Sequence, residues 1–416
     1  MKSKRKKEDR FEPKTFSFVD FVRSLYLTAT LFSSNDLISS ASSCAFGFLL
    51  SVIPVSMIIC VVLLNVLHAS PEMISSLTTF VPFAKEIFDI DDSIQKSIGI
   101  VTNFEVVVTL AIVWMARRFF FSLSKGLKRV FAKELKPRAV RNVFAVFAGE
   151  FLFVIFFSLF VFVVVSLRAL VFVPIEIPPR FDFLYEIISK TVAQFFSYGL
   201  VFVLVFFTYK FASRIKPSWA SALIATAGSC VSFWVLAKLF RVFVNVNRYD
   251  VVYGILSKTI VFLLEVYFFF LIFFFCAQWL YVYKFYLILC LGELYLLHDE
   301  HDGFFKSRIK RLLFANWGYL YKDAALHLKK GHFAYHKGEA SPSAFYVVSG
   351  KVALTGEEGQ ALLGAGSFFG EKQCLTKSRR REDAVALEET TVVQIPRSVF
   401  AKLIEKTPRA SIKALS

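Results

Sequence analysis

The chain has 416 residues, of which 56% are hydrophobic and 51 are phenylalanine, and its formal net charge is +17. This composition excludes an ordinary soluble globular protein and predicts an integral membrane protein. Most of the lysine and arginine lies in segments beside the apolar runs, so we expect anionic membrane lipids as partners and no nucleic acid.

The chain begins with a basic head at residues 1–10, followed by an apolar segment at residues 16–32. Phe18, Phe21 and Leu25 recur at near-helical spacing in this segment. The pattern predicts an amphipathic helix that lies in the membrane interface or, as an equal alternative, packs under the helical bundle. We assign residues 1–36 to a cytoplasmic head that ends with this helix.

Six apolar stretches of membrane-spanning length follow the head. About 20 apolar residues are enough for a helix to cross a bilayer. The sequence therefore predicts a six-helix membrane domain over residues 37–285. The predicted spans are residues 37–71, 98–115, 142–173, 191–209, 217–237 and 253–283.

The charges of the loops predict how these helices are oriented. The loop from Arg117 to Arg141 carries nine lysines and arginines against the single acid Glu134. Such loops stay in the cytoplasm. The loops at residues 70–97 and 174–186 are net acidic and should lie outside. We therefore expect a multi-pass protein of the inner (plasma) membrane with both termini cytoplasmic.

The fifth stretch differs from its phenylalanine-rich neighbours because it is rich in small residues. Ser221, Ala225 and Ser229 recur at every fourth position, with Ala222 and Thr226 beside them. This spacing predicts one helix face that another backbone can approach closely, at the centre of the bundle.

Ionisable residues inside the apolar stretches are candidates for a functional path. A charge at bilayer depth costs at least about 2.5 kcal/mol and normally faces a partner or a wet cavity. Glu150 and Glu265 are predicted to line a polar path, and Lys238 is a further candidate. Residues nearer the ends of the stretches can extend to the interface instead. These are Glu105, Arg168 and Lys258.

The membrane segments resemble the BrkB/YihY family of inner-membrane proteins over about residues 16–285. The segment Ser42–Met57 (SSCAFGFLLSVIPVSM) is similar to the first-helix pattern of the family. Tyr253-Gly254-Ile255-Leu256 and the later Cys276-Ala277-Gln278 resemble its sixth-helix signature. The sequence departs from this pattern at Ser257, Cys276 and Gln278, where the family has Gly, Gly and Glu. The resemblance implies a role in the cell envelope without implying a mechanism.

The sequence after the last stretch changes character twice. Residues 286–330 mix apolar and basic side chains and predict a helical connector. Within it, the run His298–Asp302 is interpreted as a solvated linker, so no metal site is assigned. From residue 331 short alternating runs are separated by Gly, Pro and Ser. This pattern predicts a small all-β domain over residues 331–416.

This β-domain resembles the cyclic-nucleotide-binding family in its layout. Phe345–Val352 is followed by Gly366-Ser367-Phe368-Phe369-Gly370-Glu371, and Arg381 comes ten residues after Glu371. The resemblance implies a jelly-roll barrel in which Gly370 and Glu371 begin the binding segment. It also implies that Glu371 holds a ribose hydroxyl and Arg381 holds the cyclic phosphate.

The residues after Arg381 argue against tight binding of an ordinary cyclic nucleotide. The family has small or hydroxylated residues there, whereas this chain has Glu382 and Asp383. Two carboxylates within about 5 Å of a phosphate would each cost on the order of 1 kcal/mol at an effective dielectric near 20. We therefore assign no cofactor, and a small-molecule ligand of this domain stays an alternative.

The sequence thus predicts a polytopic α-helical membrane protein with a cytoplasmic jelly-roll domain behind it. We expect a role in transport or envelope maintenance, for a lipid or anionic solute, with the tail as sensor or scaffold. A first alternative is a membrane-anchored protein that responds to cyclic nucleotides. A second is a ribonuclease, an older label of the family. No nucleophile, base and orienting residue are grouped, so we expect no catalytic residues and no enzyme.

Overall fold

The computed structural model describes the helices of both ends of the membrane region and almost all of the β-domain. The chain forms two compact units, one of residues 1–27 and 282–416 and one of residues 28–281. The described residues are 17–65, 119, 121–131, 198–199, 201–212, 215, 217–243, 255–297, 304–314, 325–357, 359–407 and 410.

The helices of the membrane region follow the apolar stretches of the sequence. They are α1 (Phe18–Ser34), α2 (Leu37–Asn65), α3 (Trp219–Phe243) and α4 (Ile255–Lys284). Residues 121–130 form a further helix, which we call the basic helix because it carries Lys125, Lys128 and Arg129. An apolar helix at Val201–Phe211 ends in a π-helical turn, Thr208–Ala212.

Two helices among the described residues are long and apolar enough to cross a membrane. They are Trp219–Phe240 within α3 and Ile260–Lys284 within α4. The predicted spans at residues 98–115 and 142–173 lie outside the described residues. The helical character of this region is therefore confirmed, whereas the number of six spans stays a prediction.

Helix α4 is the centre of the described part of the membrane unit. Its Phe274 is fully buried against Gly126 of the basic helix. On another side, Phe269 packs edge-on against Phe233 of α3, with ring centroids 5.2 Å apart. Phe273 stacks on Tyr209, whose hydroxyl donates a hydrogen bond to the Phe273 carbonyl at 2.8 Å.

The small-residue face predicted for the fifth stretch is buried. Ala222 and Thr226 have no exposed surface, and Ser221, Ala225 and Ser229 are buried as well. The large side chains of the same helix, among them Trp219 and Val231, point outward. The burial of this face agrees with the prediction, because only small side chains allow so close an approach of helices. Its place at the centre of the bundle stays a prediction.

Two helices follow the last span. The first, α5 (Tyr286–Tyr295), begins after a break at Phe285 and is separate from α4. The second is α6 (Phe304–Phe314). Both lie in the predicted connector, and residues 298–303, which include the whole His298–Asp302 run, lie outside the described residues.

The β-domain consists of two four-stranded antiparallel sheets, ordered β1-β8-β3-β6 and β2-β7-β4-β5. The paired sheets confirm the predicted jelly-roll-like β-domain. The strands are β1 (Ala325–Leu328), β2 (Phe333–Tyr335), β3 (Ser343–Ser349), β4 (Val352–Gly356), β5 (Gly359–Leu363), β6 (Phe368–Phe369), β7 (Asp383–Ala386) and β8 (Thr390–Pro396). Helix α7 (Glu371–Thr376) lies between β6 and β7, and α8 (Arg397–Lys406) follows β8.

The first strand lies before residue 331, inside the segment assigned to the connector. Its four residues pair with Thr390–Val393 of β8. The segment was missed because four residues between charged neighbours are too short to show an alternating pattern. The core between the sheets contains Tyr335, Phe345 and Phe369, which stack on one another.

Candidate functional site

A tight turn between β6 and α7 opens the candidate site. Gly370 has φ of 71° and caps the N-terminus of α7, whose first residue is Glu371. Glycine adopts this left-handed conformation without the steric cost that other residues have. The Glu371 carboxylate is half-buried and accepts no hydrogen bond from the described residues. The turn therefore presents a carboxylate with free acceptor capacity.

Arg380 is the charged side chain that faces the interior at this turn. It is 3% exposed. Its Nη1 donates to the Gly370 carbonyl at 2.7 Å, and its Nη2 donates to the Ser343 carbonyl. The guanidinium lies 4.1 Å from the ring centroid of Tyr335, in cation–π geometry.

Arg380 has no ion-pair partner among the described residues, although Glu339 and Glu371 favour its charged form from a longer distance. Its Nε is fully buried and has no hydrogen-bond partner there. Burial lowers the pKa of Arg380, but an arginine side chain stays protonated in proteins. A buried cation with a spare donor is costly unless an anion joins it. The arrangement is suited to hold an anionic group.

The neighbouring aromatic residues remain neutral around this cation. Burial raises the pKa of Tyr335 to about 12, although the nearby Arg380 acts in the opposite direction. Its hydroxyl is therefore protonated at physiological pH. The site thus combines one buried positive charge, one half-buried carboxylate and the packed rings of Tyr335, Phe345 and Phe369.

Arg381, which the sequence assigned to the phosphate, is exposed. The inward position belongs to Arg380, one residue earlier. Backbone pairing fixes Arg380 there, since its N–H donates to the Glu339 carbonyl at 2.9 Å and its carbonyl accepts from the Gly338 N–H at 2.9 Å. This pairing joins segments that are far apart in sequence, so the spacing from Glu371 did not reveal it.

The two acids that follow Arg381 have separate surroundings. Asp383 Oδ1 accepts a hydrogen bond from the Lys337 backbone N–H at 2.7 Å. It also lies 3.7 Å from Nδ1 of His336, at the outer edge of the sheet. Glu382 is half-buried, and its Cγ lies where a Cβ on Gly356 would be. Asp383 therefore has a structural partner of its own.

Helix α5 lies beside the turn that carries Glu371. The ring of Tyr295 packs edge-on against Phe368 of β6 at 5.0 Å and against Phe400 of α8 at 5.7 Å. One turn earlier, Gly292 leaves room for the side chain of Thr407. The helix that follows the last span is thus in direct contact with the strand that leads into the candidate site.

The intramembrane candidates are placed as follows. Glu265 is half-buried in α4. Lys238 is exposed near the end of α3, with its Nζ 5.6 Å from the ring centroid of Trp234. Glu150 lies outside the described residues. The polar path predicted for Glu150 and Glu265 therefore stays a prediction.

A polar cluster in the membrane unit was missed by the sequence reasoning. Gln278 has no exposed surface, and its Oε1 accepts a hydrogen bond from Asn35 Nδ2 at 3.0 Å. Its Nε2 has no partner among the described residues. Nearby in sequence, Asp36 accepts a hydrogen bond from Arg129 at 3.1 Å, and Arg129 also donates to Ser40. The sequence signal for this cluster was the polar Gln278 inside an apolar stretch, a residue interpreted from the sequence only as a departure from a family pattern.

The β-domain matches a known domain model. Residues 325–407 match the model of the cyclic nucleotide-binding domain. The cyclic AMP receptor protein of Thermus thermophilus is 35% identical over 85 residues, which cover 19% of this chain and 39% of that protein. The crystal structure of the Thermus thermophilus catabolite activator protein has 31% identity, covers 22% of this chain and 46% of the other, and gives a TM-score of 0.20.

A further relative shares the same domain. Lysophospholipase NTE1 of Pyricularia oryzae is 30% identical over 94 residues, which cover 21% of this chain and 6% of that protein. The matches thus span less than half the length of these relatives and fall on the β-domain of this chain.

The membrane region matches a second model. Residues 28–286, more than half of the chain, match the family described as virulence factor BrkB. The match confirms the resemblance inferred from the first and sixth apolar stretches, and it includes both membrane-length helices. The chain belongs to the BrkB family of membrane proteins and carries a C-terminal cyclic nucleotide-binding domain.

Proposed function

We propose that the C-terminal domain binds a cyclic mononucleotide and makes the membrane domain responsive to it. The observation that carries this proposal is the buried Arg380, whose charge has no ion-pair partner among the described residues and whose Nε is free. A cyclic phosphate carries one negative charge and acceptor oxygens, so it would supply both the missing charge and the missing acceptor. Glu371 is available to accept a hydrogen bond from a ribose hydroxyl.

The sequence argument for weak binding depended on acids next to the phosphate-binding arginine. Asp383 is three residues from Arg380 and is held by the Lys337 N–H at 2.7 Å. Asp383 should therefore repel a phosphate held by Arg380 less than it would repel one held by Arg381. Glu382 stays two residues from Arg380 and should weaken the affinity without abolishing it.

Calorimetry on the purified full-length protein tests this proposal. Cyclic AMP and cyclic GMP are titrated separately, and we expect micromolar binding of at least one of them. Truncation of a buried hydrogen-bonded charge costs about 2–5 kcal/mol, so Arg380→Ala should weaken binding at least about thirtyfold. The exposed Arg381→Ala is the matched control and should change the affinity less than about threefold.

Arg380→Lys separates a binding defect from a folding defect. It keeps the buried charge, so it should retain the fold and bind at an intermediate level. Absence of binding in the unmodified protein, or an equal loss in Arg381→Ala and Arg380→Ala, would contradict the proposal.

For the membrane domain we propose transport or envelope maintenance that involves a lipid or anionic solute. Two features support it. The fully buried Gln278 has a free donor among the described residues, and Glu265 is half-buried in a membrane-length helix. Polar groups of this kind in a membrane normally face a partner or a wet cavity.

Complementation of a deletion strain tests the role of the polar residues. The double variant Glu150→Gln with Glu265→Gln should fail to restore a growth, permeability or lipid phenotype at normal protein levels. Full complementation would refute the polar path. If it complements fully while Arg380→Ala does not, the membrane domain acts only as an anchor for a nucleotide-responsive domain.

We propose that neither role involves catalysis by this chain. The test is incubation of the purified protein with RNA in the presence and absence of a chelator. Cleavage that disappears with the chelator would support the ribonuclease alternative instead.

A further inference from the structure

The first turns of α1 direct charged residues inward and apolar residues outward, whereas Leu27 and Phe32 farther along are buried. Asp20 and Arg23 are 1% and 3% exposed, whereas Phe18 and Phe21 are 79% and 41% exposed. The exposed Val22 continues the apolar face. A helix on the surface of a water-soluble unit has the opposite arrangement, with its apolar stripe toward the core.

Helix α6 shares part of this arrangement, although its last residue, Phe314, is fully buried. Lys310 is 3% exposed, and its Nζ lies 2.9 Å from Glu293 Oε2 of α5. On the opposite side Leu312 is 78% exposed and Ile309 is 43% exposed. Here too a lysine is inside and a leucine is outside.

The inward charges have partners, which hold both helices in this orientation. Asp20 Oδ1 accepts hydrogen bonds from Arg23 Nη1 at 3.0 Å and from the Tyr286 hydroxyl at 2.7 Å. Arg23 Nε donates to the Leu313 carbonyl of α6 at 2.6 Å. These hydrogen bonds connect the first turns of α1 to α5 and α6 within one unit. They therefore hold the apolar residues on the outward side of α1 and α6.

Basic residues accompany the outward apolar side chains. Arg308 and Arg311 are exposed beside Leu312 on α6. The basic head of residues 1–10 precedes α1 in the sequence. An apolar face rimmed by arginines matches the two layers of a membrane surface, namely acyl chains and anionic headgroups.

We propose that α1 and α6 together form a docking surface for the anionic face of the bilayer that holds the membrane domain. A second copy of the chain fits the surface less well. An isologous contact would place the patch that carries Arg308 and Arg311 against an identical basic patch of the other copy. The docking surface is independent of nucleotide binding, because none of its residues belongs to the Arg380 site.

Photo-crosslinking in the full-length protein tests this proposal. The photoreactive residue p-benzoylphenylalanine replaces Leu312 in one variant and Phe18 in another. Leu362 of β5, which is 61% exposed, is the matched control in a third. The proteins are reconstituted in nanodiscs of phosphatidylcholine with phosphatidylglycerol and irradiated. Mass spectrometry then measures the fraction of protein that carries a phospholipid adduct.

We expect phospholipid adducts at positions 312 and 18, at least fivefold above the control at position 362. Nanodiscs of phosphatidylcholine alone, or the double variant Arg308→Gln with Arg311→Gln, should reduce the adducts at position 312 severalfold. Equal lipid adducts at positions 312 and 362, adducts to a second protein chain, or no lipid adduct at positions 312 and 18 would each overturn the proposal.

Discussion

Arg380 shows how a single residue can be inward while its neighbour is in solvent. Both residues are arginines, and both lie near the ten-residue spacing from Glu371. Arg380 is held by the carbonyls of Gly370 and Ser343, whereas Arg381 is exposed. The difference arises because the backbone around Arg380 pairs with Gly338 and Glu339, and neighbouring side chains of a paired extended segment point to opposite sides.

At Gly370 we expect a substitution by alanine to damage the ligand site. A Cβ there would lie 2.2 Å from Nη1 of Arg380, and φ of 71° is unfavourable for alanine by about 1–2 kcal/mol. The guanidinium would have to move, so Gly370→Ala should weaken nucleotide binding at least about tenfold by calorimetry. Gly364→Ala is the control, because a Cβ at Gly364 meets nothing within 4 Å. Unchanged affinity in Gly370→Ala would contradict the geometry of the site.

Asp20 and Asp36 allow a comparison of a buried and an exposed ion pair with arginine. The Arg23–Asp20 side chains are 4% and 2% exposed, and the Arg129–Asp36 side chains are 35% and 62% exposed. Removal of one partner from a buried pair costs about 3–5 kcal/mol, and exposed pairs contribute about 0–1 kcal/mol.

Asp20→Asn should therefore lower the thermal unfolding midpoint of the protein in detergent much more than Asp36→Asn. Asparagine is also compatible with the positive φ of 52° at position 36. An equal or larger loss of stability for Asp36→Asn would show that the buried pair does not hold α1.

At the scale of elements, the basic helix and α4 pack through a glycine. The Phe274 ring packs directly against the backbone of Gly126, so a Cβ at position 126 would overlap the ring. Phe274 is fully buried, so it has no room to withdraw. The charged helix, which the positive-inside rule predicts to be cytoplasmic, is thereby in contact with α4.

Gly126→Ala should destabilise the membrane unit by about 1–3 kcal/mol, the usual cost of overpacking. In α3, Gly228 offers a matched control, since a Cβ there meets nothing within 4 Å. Gly228→Ala should be neutral or stabilise by up to about 1 kcal/mol through helix propensity. Both variants can be compared by thermal unfolding in detergent, and a Gly126→Ala protein as stable as the control would contradict the packing.

At the scale of the molecule, the loop charges predict the orientation in the membrane. We expect the Arg117–Arg141 loop and both termini in the cytoplasm and residues 70–97 outside. An impermeant thiol reagent added to intact cells should label Ser93→Cys and should not label Ser378→Cys until the membrane is opened. Labelling of Ser93→Cys from the cytoplasmic side alone would reverse the whole topology.

The sequence by itself determined the features that depend on local composition and period. The apolar runs of α3 and α4, the small-residue face at Ser221, Ala225 and Ser229, and the strands β3, β4 and β8 were predictable. Each of them follows from side chains that are neighbours along one element, so the pattern is present in the chain itself.

Only the tertiary structure decided which polar residues face inward. The inverted faces of α1 and α6 depend on partners far away in sequence, such as Tyr286 for Asp20 and Leu313 for Arg23. The pairing of Asn35 with Gln278 and the turn of Arg380 toward Gly370 depend on contacts of the same kind. Burial of a charge is favourable only where the fold brings a partner to it, and the period of a single helix or strand does not contain that partner.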